Sequence, residues 1–157
     1  DTGLRLSEAL GLTKEDVHLT ATTPYIGIRP RPWRRLKTRS SKRQVPVVGH
    51  ALWALQQACE AAQGPWIFPK YCTLTTCKAN SASAALNKWL SSRLQGSSDH
   101  VVLHSFRHSL RDRLRAVECP PDIIDSIGGW SKSGVGEGYG DGHGIEILHK
   151  WMSRIVA

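Results

Sequence analysis

Four side chains in the C-terminal third of the sequence could together bind an anion and attack it. His104 and Arg107 are three positions apart, so a helix would project both from one face, about one turn apart. Trp130 follows, and Tyr139 stands nine positions further on, between two glycines. The set offers an imidazole, a permanent cation, an indole N–H donor and a phenol. This combination indicates an active site for a phosphate.

Two stretches nearer the N-terminus supply further cations, and with them the chain resembles a known family. Arg5 lies in the run Thr-Gly-Leu-Arg-Leu-Ser-Glu-Ala-Leu that starts at Thr2, and Lys37-Thr38 precedes Arg43-Gln44-Val45-Pro46. In this order, with His-x-x-Arg, Trp and Tyr following, they resemble the motifs of the catalytic domain of tyrosine recombinases, the phage integrase family. The resemblance covers essentially the whole chain.

The resemblance implies which residues bind the phosphate. Arg5 and Arg107 would clamp it, because a guanidinium is always charged and its planar fork of donors matches two phosphate oxygens. Trp130 would donate one more N–H at a position where the family more often has histidine. Donors arranged in advance of the reaction usually supply the largest catalytic effect.

The remaining roles that the resemblance implies concern bond making and proton transfer. Tyr139 would attack the DNA phosphodiester and form a 3′-phosphotyrosine, with the nearby cations making its phenol reactive. Lys37 would protonate the departing 5′ oxygen, and His104 would act as general base. Because the intermediate conserves the energy of the phosphodiester bond, we expect no metal, ATP or other cofactor.

The resemblance also implies the partners and the context of the reaction. We expect double-stranded DNA as the substrate and a homotetramer on synapsed sites, with exchange of C-terminal helices between protomers. Residues 1–157 would be one catalytic domain, a fragment that lacks the N-terminal DNA-clamping domain and the start of the catalytic domain. A prokaryotic or phage-encoded protein associated with the nucleoid in the cytoplasm is the expected setting.

Two other functions stay open at this point. A type IB topoisomerase shares the chemistry, but it acts on any duplex and needs no assembly of sites. A non-cleaving DNA-binding accessory protein could keep the fold alone, although the presence of all six site positions argues against it. Exchange of strands between two defined sites would separate a recombinase from both.

The charge of the chain favours a polyanionic partner. There are 21 Lys and Arg against 13 Asp and Glu, a formal net charge of +8. Many of the cations are concentrated in one stretch around Trp33 that suits a hairpin laid along a DNA backbone: Arg29, Arg31, Arg34, Arg35, Lys37, Arg39, Lys42 and Arg43. A solvated charged loop is the alternative interpretation of this stretch.

Hydrophobic periodicity predicts an α+β fold that is mainly helical, with a small antiparallel sheet of three strands. The strands are expected at 17–21, 25–28 and 43–48, after a short helix at 5–10 that Gly11 would end in the left-handed conformation. Longer helices are expected at 50–63, 81–94 and 105–117, and a short one at 122–127. Ser81 or Ser83 would cap the second long helix.

Other features complete the expected domain. We expect Trp53, Trp66 and Trp89 in the core. The four cysteines show no metal-binding spacing and are expected to be ordinary thiols in a reducing compartment. No apolar run is long enough for a membrane span, and no signal peptide is recognisable, so we expect a soluble intracellular protein.

The C-terminal part carries two further expectations. A helix over 145–155 would place Ile147, Leu148, Trp151 and Ile155 on one apolar stripe, to dock on a neighbouring protomer or to fold back on its own domain. Glycines crowd around Tyr139 and disfavour helix. Without DNA, we therefore expect Tyr139 to lie away from Arg5, Arg107 and His104 or to be poorly ordered. A rigid loop of tight turns is the alternative.

Overall fold

The computed structural model of the chain describes residues 2–94, 101–130 and 142–156. These residues form six α-helices and one small sheet, which confirms the mainly helical α+β fold. The helices are α1 (Leu6–Leu10), α2 (Gly49–Ala61), α3 (Ala79–Arg93), α4 (Leu103–Ala116), α5 (Pro121–Gly128) and α6 (Ile145–Arg154). The strands are β1 (Val17–His18), β2 (Tyr25–Ile28) and β3 (Arg43–Pro46).

The sheet has the order β1-β2-β3 and is antiparallel throughout. Ile26 lies opposite Val45, and both are buried together with Ile28, so alternate residues of the strands face the core. β1 is shorter than expected because the chain turns back towards β2 directly after His18. Between β2 and β3 the chain carries the basic stretch and Lys37.

Two hydrophobic clusters support the molecule. One fills the space between the sheet and α2, with Leu12, Ile26, Ile28, Val45, Val47, Leu55 and Ile67. The other joins the last three helices, with Leu110, Leu114, Ile123, Ile124, Ile127, Leu148 and Met152 among its members. Arg43 of β3 donates to the carbonyl of Ile127 in α5, and this bond links the sheet to the second cluster.

α6 packs on its own domain. Leu148 and Ile155 of the predicted stripe are buried, as is Met152, and Trp151 is partly buried against the same cluster. Ile147 remains 46% exposed. Of the two expected arrangements, the structure therefore shows the helix folded back within the chain, with one stripe residue left at the surface.

Several local expectations were wrong. Trp53 and Trp89 are 63% and 56% exposed and so lie outside the core. Trp66, in contrast, is half-buried and packs against the small cluster of Leu10, Cys72 and Ala82. α2 buries Leu55 instead, which lies two positions and therefore about 200° round the helix from Trp53.

The ends of two helices also differ from expectation. Gly11 has φ of −80°, so it is not left-handed, whereas Gly129 after α5 is, with φ of 62°. α3 begins at Ala79, ahead of both serines that were expected to cap it, and its N-cap position is Lys78.

Two cysteines are not free thiols. A disulfide joins Cys72 to Cys77, across a tight turn where the two residues pair as an isolated antiparallel bridge. The expectation rested on spacing motifs, and these do not reveal that a turn brings two cysteines five positions apart into contact. Cys59 and Cys119 are free, as expected.

No helix in the described ranges is long and apolar enough to cross a membrane.

Candidate active site

The site forms around the C-terminal end of α5. A helix leaves its last carbonyl groups without intrahelical partners. Here those of Ile127, Gly128 and Gly129 point to the sheet, to α4 and to the residue before α1, respectively. Glycine is required at both final positions. Gly129 adopts a left-handed conformation, and a Cβ on Gly128 would lie 1.9 Å from the ring of Trp130.

Three arginines from three different segments donate to these consecutive carbonyls. Arg43 Nε lies 2.8 Å from the Ile127 oxygen, and Arg107 Nη2 lies 2.6 Å from that of Gly128. Arg5 Nη2 lies 3.3 Å from the oxygen of Gly129. Residues far apart in the sequence thus place three guanidinium groups side by side, and they include both arginines expected to clamp the phosphate.

Glu8 holds two of these arginines. Its Oε1 lies 2.7 Å from Arg5 Nη1, and its Oε2 lies 2.9 Å from Arg43 Nη2 and accepts a further bond from the Arg5 backbone. Burial alone would raise the pKa of this carboxyl, but its bonds to Arg43 and Arg5 hold the pKa below its ordinary value. Glu8 is therefore ionised and compensates one of the three positive charges.

Arg107 has no carboxylate partner among the described residues. It is 4% exposed and donates to the carbonyls of Gly3 and Gly128 only. Burial, and then the charges of Arg5 and Arg43, lower its pKa to about 10, so the side chain is still charged at neutral pH. A buried, charged guanidinium that no carboxylate of the described residues contacts is a place where an anion is strongly favoured.

Trp130 lies between two guanidinium groups. The Cζ of Arg107 is 4.4 Å from the centre of the indole, and the Cζ of Arg111 is 5.0 Å away. Such cation–π contacts hold the ring and the arginines against one another. The sequence predicted only an N–H donor here; the structure shows packing against Arg107 as a function of the indole in its own right.

His104 lies on the exposed side of α4, one turn before Arg107, with its ring edge-on to His108 at 4.9 Å between centres. Partial burial, followed by the charges of His108, Arg107, Arg5 and Lys37, lowers its pKa below the ordinary 6.5. The imidazole is therefore neutral at neutral pH and available as a proton acceptor. Its response to both Arg5 and Lys37 shows that these side chains lie within electrostatic range of it.

Lys37 is exposed and precedes a 3-10 turn at Arg39–Ser41. The turn is tied to the arginines, because the hydroxyl of Ser41 accepts from Arg5 Nη1 at 3.0 Å and its carbonyl accepts from Arg43 at 2.8 Å. Arg5, Lys37, His104, Arg107 and Trp130 are thus in one region. Tyr139, and with it the expectation about its position without DNA, lies outside the described residues.

The basic stretch divides into interior and surface residues. Arg34 is 2% exposed and pairs with Asp16 at 3.1 Å, and the side chain of Arg43 is 5% exposed. Arg29 and Arg31 also pair with Asp16, whose pKa their bonds and the Arg34 charge keep low despite its burial.

Burial removes part of this stretch from the expected DNA surface. Arg34 and Arg43 are structural, because their guanidinium groups are directed into the protein. Arg35 and Lys42 are exposed, and the side chain of Arg39 lies outside the described residues. The sequence showed the run of cations but not the buried carboxylates that hold some of them.

Sequence reasoning also missed Glu8 and Ser41 as site residues. Glu8 follows Arg5 by three positions, which is a spacing for a side-chain contact within a helix, so its pairing with Arg5 could have been predicted. Ser41 carries no comparable signal, because its contact with Arg5 joins residues 36 positions apart.

The chain is similar in fold to solved complexes of the Tn1549 transposon integrase. One variant, bound to a circular intermediate DNA, has a TM-score of 0.60 and 18% sequence identity over 96% of this chain and 50% of that one. A second complex with circular intermediate DNA gives 0.56 and 21% over 96% and 51%. A variant bound to transposon right end DNA gives 0.55 and 20% over 97% and 51%.

At these identities the likeness is one of fold, and the chain spans about half the length of the structures it matches. No curated protein matches its sequence. The model of the phage integrase family, however, matches residues 1–140, which include every residue of the site described above. The chain belongs to the phage integrase family, the tyrosine recombinases, and has the fold of their catalytic domain.

Proposed function

We propose that the protein is a site-specific DNA recombinase, or integrase, that cleaves and rejoins strands through a 3′-phosphotyrosine on Tyr139. Membership of the phage integrase family supports the reaction class. The structures with a similar fold are described as integrase–DNA complexes, which supports duplex DNA as the substrate. The net charge of +8 is in keeping with that partner.

The buried charge of Arg107 beside Arg5, which no carboxylate of the described residues contacts, is the observation that carries this proposal. The three guanidinium groups at the end of α5 and the Glu8 carboxylate that pairs with two of them together carry a net charge of +2. A scissile phosphodiester brings one negative charge, and more develops on its oxygens as the nucleophile attacks. Fixed donors favour that state most, because they need not reorganise during the reaction.

The steps of the proposed reaction balance without an added reagent. The phenol oxygen of Tyr139 attacks phosphorus, and the bond from phosphorus to the 5′ oxygen breaks. The neutral imidazole of His104 takes the phenol proton, and Lys37 gives one to the departing oxygen. A 5′ hydroxyl of a second DNA end then attacks the phosphotyrosine, which reverses both transfers and exchanges the strands, with neither a metal nor ATP consumed.

Trp130 has a supporting role in this proposal. Its indole packs on Arg107 and Arg111, and so it limits the movement of the Arg107 guanidinium. Restraint of this kind matters for catalysis, because a displacement of about 1 Å at a reacting centre can cost about 100-fold in rate. Donation from Trp130 to the phosphate remains part of the proposal.

Assembly as a homotetramer on two synapsed DNA sites, with exchange of C-terminal helices, completes the proposal. α6 is docked on its own domain by Leu148 and Met152, and Ile147 is its exposed large apolar residue. We place this assembly on DNA in the cytoplasm of a prokaryotic cell, where the chromosome or an infecting phage supplies the sites.

Covalent trapping tests the proposal. The full-length protein is incubated with a pool of nicked duplexes, in which the short cleaved strand diffuses away and leaves the adduct unable to reverse. We expect a protein–DNA adduct that protease treatment shrinks to a short peptide on the DNA. Absence of any adduct would favour a non-cleaving DNA-binding protein. Relaxation of supercoils without exchange between two sites would indicate topoisomerase activity instead.

A further inference from the structure

A chain of hydroxyl groups connects Arg5 to the residue next to Lys37. Ser41 Oγ accepts from Arg5 Nη1 at 3.0 Å and lies 3.0 Å from Thr38 Oγ1. An arginine can only donate, so the Ser41 hydroxyl accepts from Arg5 and remains able to bond to the Thr38 hydroxyl as well. Thr38 follows Lys37 directly in the chain. A phosphate-binding arginine is therefore two hydrogen bonds away from the segment that carries the general acid.

Ser41 is buried and is held by several hydrogen bonds. It is fully buried, at 0% exposure, and its carbonyl is held by Arg43 at 2.8 Å. Its backbone N–H also closes the turn onto the Thr38 carbonyl at 3.1 Å. Lys37, in contrast, is exposed. A long side chain in solvent has many rotamers, so the position of its backbone largely decides whether its ammonium group reaches the leaving oxygen.

We propose that Ser41 is a positioning residue for Lys37. Its hydrogen bonds to Thr38 and Arg5 fix the position of the segment that carries Lys37 relative to the phosphate bound by Arg5. Arg5 itself does not depend on this contact to the same degree, because Glu8 and the Gly129 carbonyl also hold it. Loss of the Ser41 hydroxyl should therefore disturb the position of Lys37 more than that of Arg5. The inference rests on the proposed function, in which Lys37 protonates the 5′ oxygen.

The chain offers matched variants. Ser41→Ala removes the hydroxyl and leaves the carbonyl contact to Arg43 and the backbone bond to Thr38. Thr38→Val removes the next hydroxyl at nearly constant shape and serves as a second variant if Ser41→Ala folds poorly. Ser40→Ala is the control, because Ser40 Oγ contacts Thr38 Oγ1 at 2.9 Å but ends the chain of hydroxyls without reaching Arg5.

A substrate that needs no acid distinguishes the proposed role from a general loss of structure. Sulfur in place of the bridging 5′ oxygen leaves as a thiolate, whose lower pKa makes protonation unnecessary. On ordinary DNA we expect Ser41→Ala and Thr38→Val to cleave about 10- to 100-fold more slowly, and the double variant no more slowly than the worse single one. On the sulfur substrate both should cleave at nearly the unmodified rate, with Ser40→Ala unchanged on either.

Lys37→Ala, measured beside them, separates failure of this inference from failure of the proposed function. If sulfur restores Lys37→Ala but not Ser41→Ala and Thr38→Val, Lys37 is the acid and Ser41 does not position it. Cleavage by Ser41→Ala at the unmodified rate on ordinary DNA would also overturn the inference. If sulfur fails to restore Lys37→Ala, the assignment of Lys37 as general acid is wrong, and the role given to Ser41 is wrong with it.

Discussion

Single residues of this site do two tasks at once. The guanidinium of Arg107 closes the end of α5 through Gly128 and also presents uncompensated charge. Among the described residues no carboxylate pairs with this buried cation, and its bonds to two carbonyl groups offset the cost of burying it. We infer that a phosphate of the substrate is the anion that pairs with Arg107.

Arg107→Ala should lower the cleavage rate far more than DNA affinity. The residue contacts one phosphate, whose charge grows in the transition state, so a loss of about 3 kcal/mol in catalysis is expected. The free energy of unfolding should also fall by about 1–3 kcal/mol, because the carbonyls of Gly3 and Gly128 lose their donor. Single-turnover cleavage, a binding titration and thermal melting measure the three effects.

The matched control for this change is Arg115→Ala, on the same helix but exposed, with a surface pair to Asp112. It should leave the cleavage rate unchanged, since such pairs contribute little. Equal losses of affinity and cleavage rate in Arg107→Ala would mean that the residue is only a binding contact.

Three substitutions of Trp130 separate packing from hydrogen bonding. Trp130→His keeps an N–H and should retain activity, whereas Trp130→Ala should lose much of it and lower the melting temperature. Trp130→Phe keeps a ring against Arg107 and Arg111 but has no donor. If Phe cleaves like the unmodified protein, the indole acts through packing alone; if Phe cleaves like Ala, donation to the phosphate dominates. Full activity of Trp130→Ala would contradict both roles.

At the scale of elements, α5 organises the site although no residue of it was expected to do chemistry. Its carbonyl groups bring Arg5, Arg43 and Arg107 together, and its glycines allow Trp130 to fold back. The sequence predicted the helix itself. It could not predict the carbonyl contacts, because backbone acceptors are the same at every position and only the tertiary fold selects them.

Two apolar residues of α6 differ in exposure, so substitutions at these positions separate stability from a contact between protomers. Leu148 is buried in the core of its own domain, so Leu148→Asp should destabilise the monomer by about 3 kcal/mol or more. Ile147 is 46% exposed, so Ile147→Asp should leave the melting temperature nearly unchanged. If α6 also contacts a neighbouring protomer, Ile147→Asp should keep half-site cleavage and reduce strand exchange. Unimpaired exchange in that variant would argue against a trans contact through this residue.

For the molecule as a whole, charge is the property that the sequence predicted only in part. The excess of cations was plain from composition, but it did not show which of them reach the surface. Asp16 and Glu8 are both fully buried. The side chains of the arginines that pair with them, Arg34 and Arg43 respectively, are buried as well. Exposed cations such as Arg35, Lys37 and Lys42 remain for the DNA. The order and spacing of the motifs predicted the family and the fold. They did not predict the pairs of Asp16 with Arg34 and of Glu8 with Arg43, because each pair joins residues far apart in the sequence.

DNA affinity should therefore fall steeply with salt, and different arginines should affect that dependence differently. Each phosphate that a cation neutralises contributes about 0.9 to the slope of log K against log salt. Arg35→Ala should reduce the slope by about one contact. Arg34→Ala should leave the slope unchanged and instead lower the stability by about 3 kcal/mol, because Asp16 loses its buried partner. Titrations at several salt concentrations, with thermal melting, measure both, and a flat salt response would exclude the basic stretch from the interface.

The central claim is that this arrangement of arginines serves a covalent reaction of Tyr139 with DNA. Trapping on nicked duplexes, with unmodified protein and Tyr139→Phe side by side, tests it most directly. Phenylalanine removes the nucleophilic oxygen and no phosphate-binding charge, so DNA affinity should be nearly unchanged. For the unmodified protein we expect a protease-sensitive adduct with a free 5′ hydroxyl on the released strand, and for Tyr139→Phe we expect no adduct. An adduct that persists in Tyr139→Phe would contradict the account.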